Sequence, residues 1–228
     1  LKLEGISYLA GAELPAVIVN VVRGGPGLGT IQPSQADYFQ SVKGGGHGDY
    51  KLYVLAPASV QEMSDFVEDA FDIAFKYRAP VLILSDGLIG QMMEKVNLKD
   101  QQKRLTDAEV IKKYDSWATT GKTNRKRNII TSLDLQSEKM EARVRKLMKK
   151  YEQMEKEDLR YEEFQTEDAE YLFVAYGSSA RIAQKAVQQA RAKGIKAGLL
   201  RPITLFPYPK KVLFDLADQV KGILSVEL

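Results

Sequence analysis

The sequence predicts an α/β fold, in which parallel strands alternate with helices. Short apolar runs of strand length recur along the chain, at residues 16–22, 52–55, 80–85, 171–175 and 197–200. The segment between the second and third of these runs has apolar residues at helical spacing. A strand, a helix and a strand joined at this crossover length imply a parallel βαβ unit, which is right-handed by default. A chain of 228 residues is long enough for one large domain or two small ones.

The composition excludes several kinds of site. The chain has no cysteine and 1 histidine, so it cannot supply a disulfide, a thiol nucleophile, a cysteine-ligated zinc or iron–sulfur centre, or a multi-histidine metal site. Its net charge of +3 is too small to imply a polyanionic partner. No run approaches the roughly 20 apolar residues of a membrane span, and no signal-peptide pattern is present. We therefore expect a cytoplasmic protein without a membrane or nucleic-acid partner, and no metal site in this chain.

The first predicted elements lead up to and away from a glycine-rich loop. Residues 3–13 have a helical pattern and precede the apolar run 16–22, which we predict to be a buried strand because Asn20 is its only polar residue. After the loop, residues 35–42 are typical of a short helix, and residues 44–48 form a second glycine-rich turn.

The loop itself is the first candidate binding segment. Arg23 follows the strand directly, and four glycines and one proline occupy the next seven positions. Arg23 would thus lie at the carboxyl end of a strand, the edge of an α/β sheet where ligands bind. Glycine lets the backbone approach a ligand closely, and a guanidinium binds a carboxylate or phosphate through two parallel hydrogen bonds. A tight surface loop with a solvated arginine is the alternative, and the motif is neither a P-loop nor a dinucleotide fingerprint.

A helix and a further strand complete this region. Ser59 and Glu62 have the spacing of a capping box that opens the helix. The helix carries apolar residues at Val60, Met63, Phe66, Val67, Ala70, Phe71, Ala74 and Tyr77. The run 80–85 predicts a buried strand, and we interpret Asp86-Gly87 as its end. These elements extend the first α/β region to residue 96.

Residues 97–165 are predicted to be a charged helical connector. The stretch Lys122–Arg127 is strongly basic, but no recognition helix or aromatic platform accompanies it, so we favour a solvated connector over a nucleic-acid contact. From Ser137 onward a narrow apolar seam runs along a charged helix, fit to pack on a domain or a partner subunit. The seam consists of Met140, Val144, Leu147, Tyr151 and Met154.

Residues 166–228 return to an α/β pattern. A strand at 171–175 is followed by Gly177-Ser178-Ser179, which we predict to cap a helix, with anion binding at the helix N-terminus as the alternative. Gly194 ends that helix. After the strand at 197–200, Arg201-Pro202 and Phe206–Pro209 are predicted to start a helix that runs through Val220. The chain starts without methionine and stops within a predicted strand at 222–228, so we expect it to be a fragment.

Several long motifs resemble one known family. They are Leu3–Pro15, Asn20–Tyr38, Lys43–Asp49, Leu55–Met63, Trp117–Lys122, Arg127–Asp134 and Val174–Arg181. They resemble the α subunit of thiamine-diphosphate-dependent 2-oxoacid:ferredoxin oxidoreductases, the branched-chain (3-methyl-2-oxobutanoate, or 2-ketoisovalerate) type first and the 2-oxoglutarate type next. The resemblance implies that residues 1–96 are the latter part of a thiamine-diphosphate pyrimidine-binding domain. It also implies that residues 166–228 begin a transketolase C-terminal-like domain.

The resemblance further implies an activity shared with other subunits. The reaction would be the coenzyme A-dependent oxidative decarboxylation of a 2-oxoacid to the acyl-CoA, with electrons passed to ferredoxin. The family's Tyr-Pro-x-Thr-Pro loop and its pyrimidine-binding glutamate are not in this sequence, so the chain alone should be inactive. Thiamine diphosphate would be shared with a β subunit, while Mg²⁺ and the [4Fe-4S] clusters would lie on the β and small iron–sulfur subunits.

The same resemblance implies roles for the loop residues. Arg23 would hold the substrate carboxylate, a charge-assisted contact worth about 1.5–3 kcal/mol. Gly24 and Gly25 would let the backbone approach the reacting carbonyl, while Thr30 and Gln32 are candidates for polar contacts.

Two positions and one alternative function stay open. Leu28 stands where some relatives have a threonine, which favours a branched or aromatic substrate side chain over a second carboxylate. His47 could line the same pocket and shuttle a proton, or simply close its own turn. A non-catalytic interaction module is the alternative to an enzyme subunit, and it would have no need of an arginine beside four glycines at a sheet edge.

Overall fold

A computed structural model describes residues 2–100, 103–121 and 124–228. The helices are α1 Lys2–Gly11, α2 Tyr38–Val42, α3 Val60–Tyr77, α4 Gly87–Gln91, α5 Asp107–Tyr114, α6 Ser137–Glu157, α7 Gly177–Ala192 and α8 Lys210–Ala217. The strands are β1 Ala16–Val22, β2 Tyr53–Leu55, β3 Pro80–Asp86, β4 Tyr161–Phe164, β5 Tyr171–Val174, β6 Ala197–Pro202, β7 Thr204–Phe206 and β8 Gly222–Ser225. Within the described residues they form two sheets, in the orders β1-β3-β2-β7 and β4-β6-β5-β8. The predicted α/β fold is confirmed.

The first sheet is built around β3, which is buried along its whole length. β1 and β2 pair with β3 in parallel, and the register places Val22 opposite Asp86. The unit β2-α3-β3 is therefore the predicted parallel βαβ unit. Because parallel strands end at one edge, the segment after β1 and the segment after β3 meet there.

The strand predicted at 16–22 is present, but the prediction that it is buried is wrong. The strand forms, but Val19 and Val21 are each 48% exposed. β1 lies at the edge of the sheet and has β3 as its only neighbouring strand among the described residues, so part of its surface stays exposed. Asn20, the one polar residue, finds a partner and donates to the Asp37 carboxylate at 2.9 Å.

Helix α3 begins after Ser59 and ends at Tyr77, as predicted, but fewer of its apolar residues are buried than predicted. The Ser59 hydroxyl accepts from the Glu62 N–H at 3.1 Å, as a capping box requires. The Glu62 carboxylate does not return the bond to Ser59; it accepts from the Ala58 N–H at 2.7 Å and pairs with Arg201 across the molecule. Val67 and Phe71, predicted on the apolar side, are exposed.

Helix α6 packs on the first sheet by the predicted seam. Leu147, Tyr151 and Met154 are buried in the same cluster as the residues of α3 and β3. Met140 is exposed, because the first turn of α6 extends past this core. In the basic stretch 122–127, Lys122 lies outside the described residues. Arg125 is engaged within its own segment, donating to Asp115 at 2.7 Å.

Two short strands were not predicted. β4 lies in the predicted connector and pairs with β6, and β7 lies where a helix was predicted to begin. α8 consequently starts at Lys210 and ends at Ala217, before Val220. β7 pairs antiparallel with β2, so a strand from the C-terminal part completes the first sheet. The domain boundaries at residues 96 and 165 stay predictions.

Candidate functional site

The loop after β1 is a closed hairpin at the carboxyl edge of the first sheet. Arg23 and Pro33 form an antiparallel bridge at its base. The Gly24 N–H donates to the Gln32 carbonyl at 3.0 Å, and the Thr30 N–H donates to the Gly24 carbonyl at 2.8 Å. These backbone bonds close the loop at its base, while its tip is exposed to solvent.

Glycine is required at two positions of this hairpin. Gly29 has a φ of +59°, and a Cβ there would lie 1.8 Å from the Gly24 carbonyl oxygen. A Cβ on Gly24 would lie 2.5 Å from the Thr30 methyl group. A Cβ on Gly25 would meet no atom within 4 Å. Gly24 and Gly25 were both predicted to let the backbone approach a ligand. Gly24 instead helps to close the loop, whereas the space beside the Gly25 Cα is free for a ligand.

The Arg23 guanidinium folds back over the loop. Its Nη1 donates to the Leu28 carbonyl and, at 3.2 Å, to the Thr30 carbonyl. Within the described residues, its Nε and Nη2 make no hydrogen bond. This edge of the guanidinium is the one that binds a carboxylate through two parallel bonds, and the contacts of Nη1 hold it in place.

Two apolar side chains of the same loop are exposed. Leu28 is 91% exposed and Ile31 is 83% exposed. The Thr30 hydroxyl accepts from the Gln32 N–H at 3.3 Å, so it is turned into the loop. The loop presents one cation and two apolar side chains, which suits a ligand with a carboxylate next to an apolar group.

His47 lies in a different environment. Its carbonyl accepts from the Ser7 hydroxyl, and a Cβ on the neighbouring Gly46 would lie 2.5 Å from the Leu3 carbonyl oxygen. The second glycine-rich turn is therefore packed against α1. No hydrogen bond or ion pair among the described residues joins His47 to Arg23, so its role in the site stays a prediction.

Asp86, interpreted from the sequence as a mere strand end, is part of a buried polar cluster. Its Oδ1 accepts from the Leu88 and Ile89 N–H groups at 2.9 and 3.1 Å, which caps α4. Its Oδ2 accepts from the Ser178 hydroxyl at 2.6 Å. The only sequence signal for this cluster was an aspartate placed between a buried strand and a short apolar helix. That signal did not reveal its distant partner Ser178.

The prediction that Gly177-Ser178-Ser179 caps its own helix is wrong. The N-cap of α7 is Tyr176, which makes no side-chain capping bond. Gly177 turns the chain with a φ of +58°. Both serine hydroxyls are buried inside the first turn and donate across the molecule, Ser178 to Asp86 and Ser179 to Gln35. The alternative of a bound anion fails as well, because this helix end is covered by the first sheet.

The edge at Asp86 does not fit the diphosphate and metal ion of a thiamine cofactor. All three bonds of the Asp86 carboxylate are internal, and the gap between Val22, Gln35, Asp86 and Tyr176 leaves no room for a water molecule. Among the described residues, no group of three or more His, Cys, Asp or Glu side chains could hold a metal ion.

Two family models match the chain. The model described as pyruvate flavodoxin/ferredoxin oxidoreductase, thiamine diphosphate-binding, matches residues 1–163. The model of pyruvate:ferredoxin oxidoreductase core domain II matches residues 169–228. No helix in the described ranges is long and apolar enough to span a membrane.

Curated proteins and a solved structure are similar over nearly the whole chain. The ketoisovalerate oxidoreductase subunit VorB of Methanothermobacter marburgensis is 52% identical over 229 residues, covering 100% of this chain and 63% of the relative. The 2-oxoglutarate synthase subunit KorA of Archaeoglobus fulgidus is 37% identical, covering 99% and 64%. A 2-oxoglutarate:ferredoxin oxidoreductase from Magnetococcus marinus, with 2-oxoglutarate, coenzyme A and succinyl-CoA bound, superposes with a TM-score of 0.79 at 25% identity, covering 97% of this chain and 43% of that one. The chain thus spans less than two thirds of these relatives.

Proposed function

This chain belongs to the thiamine diphosphate-binding family of pyruvate flavodoxin/ferredoxin oxidoreductases, and on that premise we propose that it is part of the α subunit of a branched-chain 2-oxoacid:ferredoxin oxidoreductase. The reaction is the coenzyme A-dependent oxidative decarboxylation of 3-methyl-2-oxobutanoate to the acyl-CoA, with electrons passed to ferredoxin. The complex is cytoplasmic, and a β subunit and small iron–sulfur subunits supply the Mg²⁺ and [4Fe-4S] centres.

The observation that carries this proposal is the pairing of Arg23 with exposed apolar neighbours. The free Nε and Nη2 edge of Arg23 binds the substrate carboxylate, and Leu28 and Ile31 contact a branched hydrocarbon side chain. A 2-oxoglutarate side chain would bring a second carboxylate against these two residues, which offer it no donor. The identity of 52% with a ketoisovalerate oxidoreductase subunit, against 37% with a 2-oxoglutarate synthase subunit, supports the same choice.

The other loop residues have supporting roles. The open face of Gly25 lets the backbone come close to the reacting carbonyl, while Gly24 keeps the hairpin closed. Thr30 and Gln32 provide polar groups on the same loop. Because the loop projects from this chain, we expect a partner subunit to cover the bound acid and exclude water.

The test uses the full-length subunit, assembled with its partner subunits and purified without oxygen. We expect reduction of ferredoxin or a viologen with 3-methyl-2-oxobutanoate in preference to 2-oxoglutarate and pyruvate. Arg23→Ala removes a charge-assisted contact of about 1.5–3 kcal/mol, so the KM for the 2-oxoacid should rise by about 10-fold to 150-fold.

The matched control is Arg145→Ala, which removes an exposed guanidinium on α6 whose partner is Glu141, four residues away. Its KM should equal that of the unmodified complex. An unchanged KM in Arg23→Ala would show that the loop does not bind the carboxylate. A preference for 2-oxoglutarate would overturn the branched-chain assignment. No reduction with any 2-oxoacid, from a complex with intact clusters, would favour the non-catalytic module.

A further inference from the structure

The C-terminal end of the Arg23 loop is anchored on the start of α7 and on the chain beyond β8. Gln35 lies two residues beyond Pro33 and is buried. Its N–H donates to the Leu228 carbonyl at 3.0 Å, and its carbonyl accepts from the Tyr176 hydroxyl at 3.2 Å. Burial raises the pKa of Tyr176, which keeps that hydroxyl protonated and donating.

The Gln35 side chain makes the same kind of contacts. Its Nε2 donates to the Tyr176 carbonyl at 2.9 Å. Its Oε1 accepts from the Ser179 hydroxyl at 2.8 Å and from the Leu228 N–H at 3.1 Å. Every one of these partners lies in the C-terminal part of the chain. A buried amide is stable only when its polar atoms are paired, so the contacts fix Gln35 in a single position.

The remaining contacts of the loop do little to orient it. Its backbone bonds are internal, and Arg23 and Pro33 close its base. At the other end, Val22 is held in the first sheet. The direction in which the hairpin projects is therefore set at its two ends, in β1 and in the segment from Pro33 to Gln35, where a Cβ on Gly87 would lie 3.5 Å from the Pro33 Cα.

We propose that Gln35 is a positioning residue, which holds the Arg23 guanidinium in the orientation that binds the substrate carboxylate. Gln35 acts through the backbone of the loop. Because Gln35 is bonded to the start of α7, the orientation of Arg23 depends on how α7 packs against the first sheet. This inference rests on the proposed function, because it requires Arg23 to bind the acid.

The experiment measures steady-state kinetics of Gln35→Met in the assembled full-length complex. Methionine has a similar length and keeps the volume, but it makes none of the three side-chain bonds. Because small displacements of a binding group are costly, we expect the KM for 3-methyl-2-oxobutanoate to rise by about 10-fold. The KM for coenzyme A should stay within about 2-fold of that of the unmodified complex, since the proposal gives the loop no contact with coenzyme A.

Two further variants separate positioning from general stability. Ser178→Ala breaks a bond of the same buried cluster, the one to Asp86, without touching Gln35. It should lower the melting temperature but leave the KM for the acid unchanged. Ser179→Ala removes one acceptor contact of Gln35 and should raise that KM by a smaller factor, which keeps the test available if Gln35→Met fails to assemble.

The double variant Arg23→Ala/Gln35→Met gives the decisive comparison. If Gln35 acts through Arg23, the double variant has the same KM as Arg23→Ala alone. Additive effects on KM, or equal effects of Ser178→Ala and Ser179→Ala, would overturn the positioning role. If Arg23→Ala itself leaves the KM unchanged, the proposed function of the loop fails first, and this inference fails with it.

Discussion

Gly29 shows how one backbone position sets the form of the binding loop. Its φ is +59°, and a side chain there would overlap the Gly24 carbonyl. Gly29→Ala combines a left-handed penalty of roughly 1–2 kcal/mol with that overlap, so the hairpin must open. We expect the KM for the 2-oxoacid to rise by at least about 10-fold, while the melting temperature changes little because residues 23–33 belong to none of the buried hydrophobic clusters.

The matched glycine substitution is Gly5→Ala in α1. A Cβ there meets no atom within 4 Å, so alanine should leave the KM unchanged and stabilise the helix slightly. Kinetics and thermal denaturation of both variants in the full-length complex make the comparison. A normal KM in Gly29→Ala would mean that the closed hairpin is not the form that binds the acid.

At the scale of elements, helix α6 is pinned by Glu13. The Glu13 carboxylate is buried and pairs with Lys146 and, at 2.6 Å, with Lys150. Burial by itself would raise the pKa of Glu13, but the hydrogen bonds and charges of the two lysines hold it below its ordinary value. These two ion pairs therefore stabilise the folded chain at pH values above the ordinary pKa of a glutamate. The stabilisation is lost as the pH falls through the lowered pKa of Glu13.

Glu13→Gln tests this anchor. It leaves the Lys150 ammonium buried without a counter-charge, so we expect the free energy of unfolding to fall by about 3 kcal/mol at pH 7. In urea denaturation the difference from the unmodified protein should shrink in strongly acid buffer. Glu141→Gln, which removes an exposed pair on the same helix, should cost only about 0.3–0.5 kcal/mol. An equal loss for Glu13→Gln at both pH values would contradict the charge-based account.

The helices and strands that could be predicted from the sequence are those with a clear hydrophobic pattern within their own segment. α3 and β3 have long helical or apolar patterns, and both were found with nearly the observed bounds. β4 and β7 have four and three residues, and their pairing comes from strands far along the chain. The apolar run of β1 identified a strand but not its edge position, because position in a sheet is decided by the other strands.

The same division holds for the candidate site. The place of Arg23 at the carboxyl edge followed from the strand before it and the glycines after it. The contacts of Gln35 and Asp86 could not be foreseen, since their partners Tyr176, Ser178 and Ser179 lie in another region of the sequence. Local pattern located the loop, and tertiary packing determines what holds it.

At the scale of the whole molecule, the two sheets are joined by two consecutive strands, β6 in the second sheet and β7 in the first, and by a charge pair. β7 pairs with β2, and Arg201 of β6 reaches Glu62 at the start of α3. Leu205, in β7, is buried in one cluster with Val54 and Leu82 of the first sheet. The first sheet is therefore completed by a strand that directly follows β6, one of the two inner strands of the second sheet.

Leu205→Ala should consequently destabilise the first sheet, because it weakens the packing of β7. A buried leucine-to-alanine change costs about 2–5 kcal/mol, and here the loss falls on the strand that protects the β2 backbone. In peptide-resolved hydrogen exchange of the full-length subunit, we expect faster exchange in β2 as well as in β7. Leu216→Ala makes the same change in α8, where Leu216 packs with Leu172 and Leu200 of the second sheet. Its effect should be confined to the second sheet, and unchanged exchange of β2 in Leu205→Ala would mean that β7 does not stabilise the first sheet.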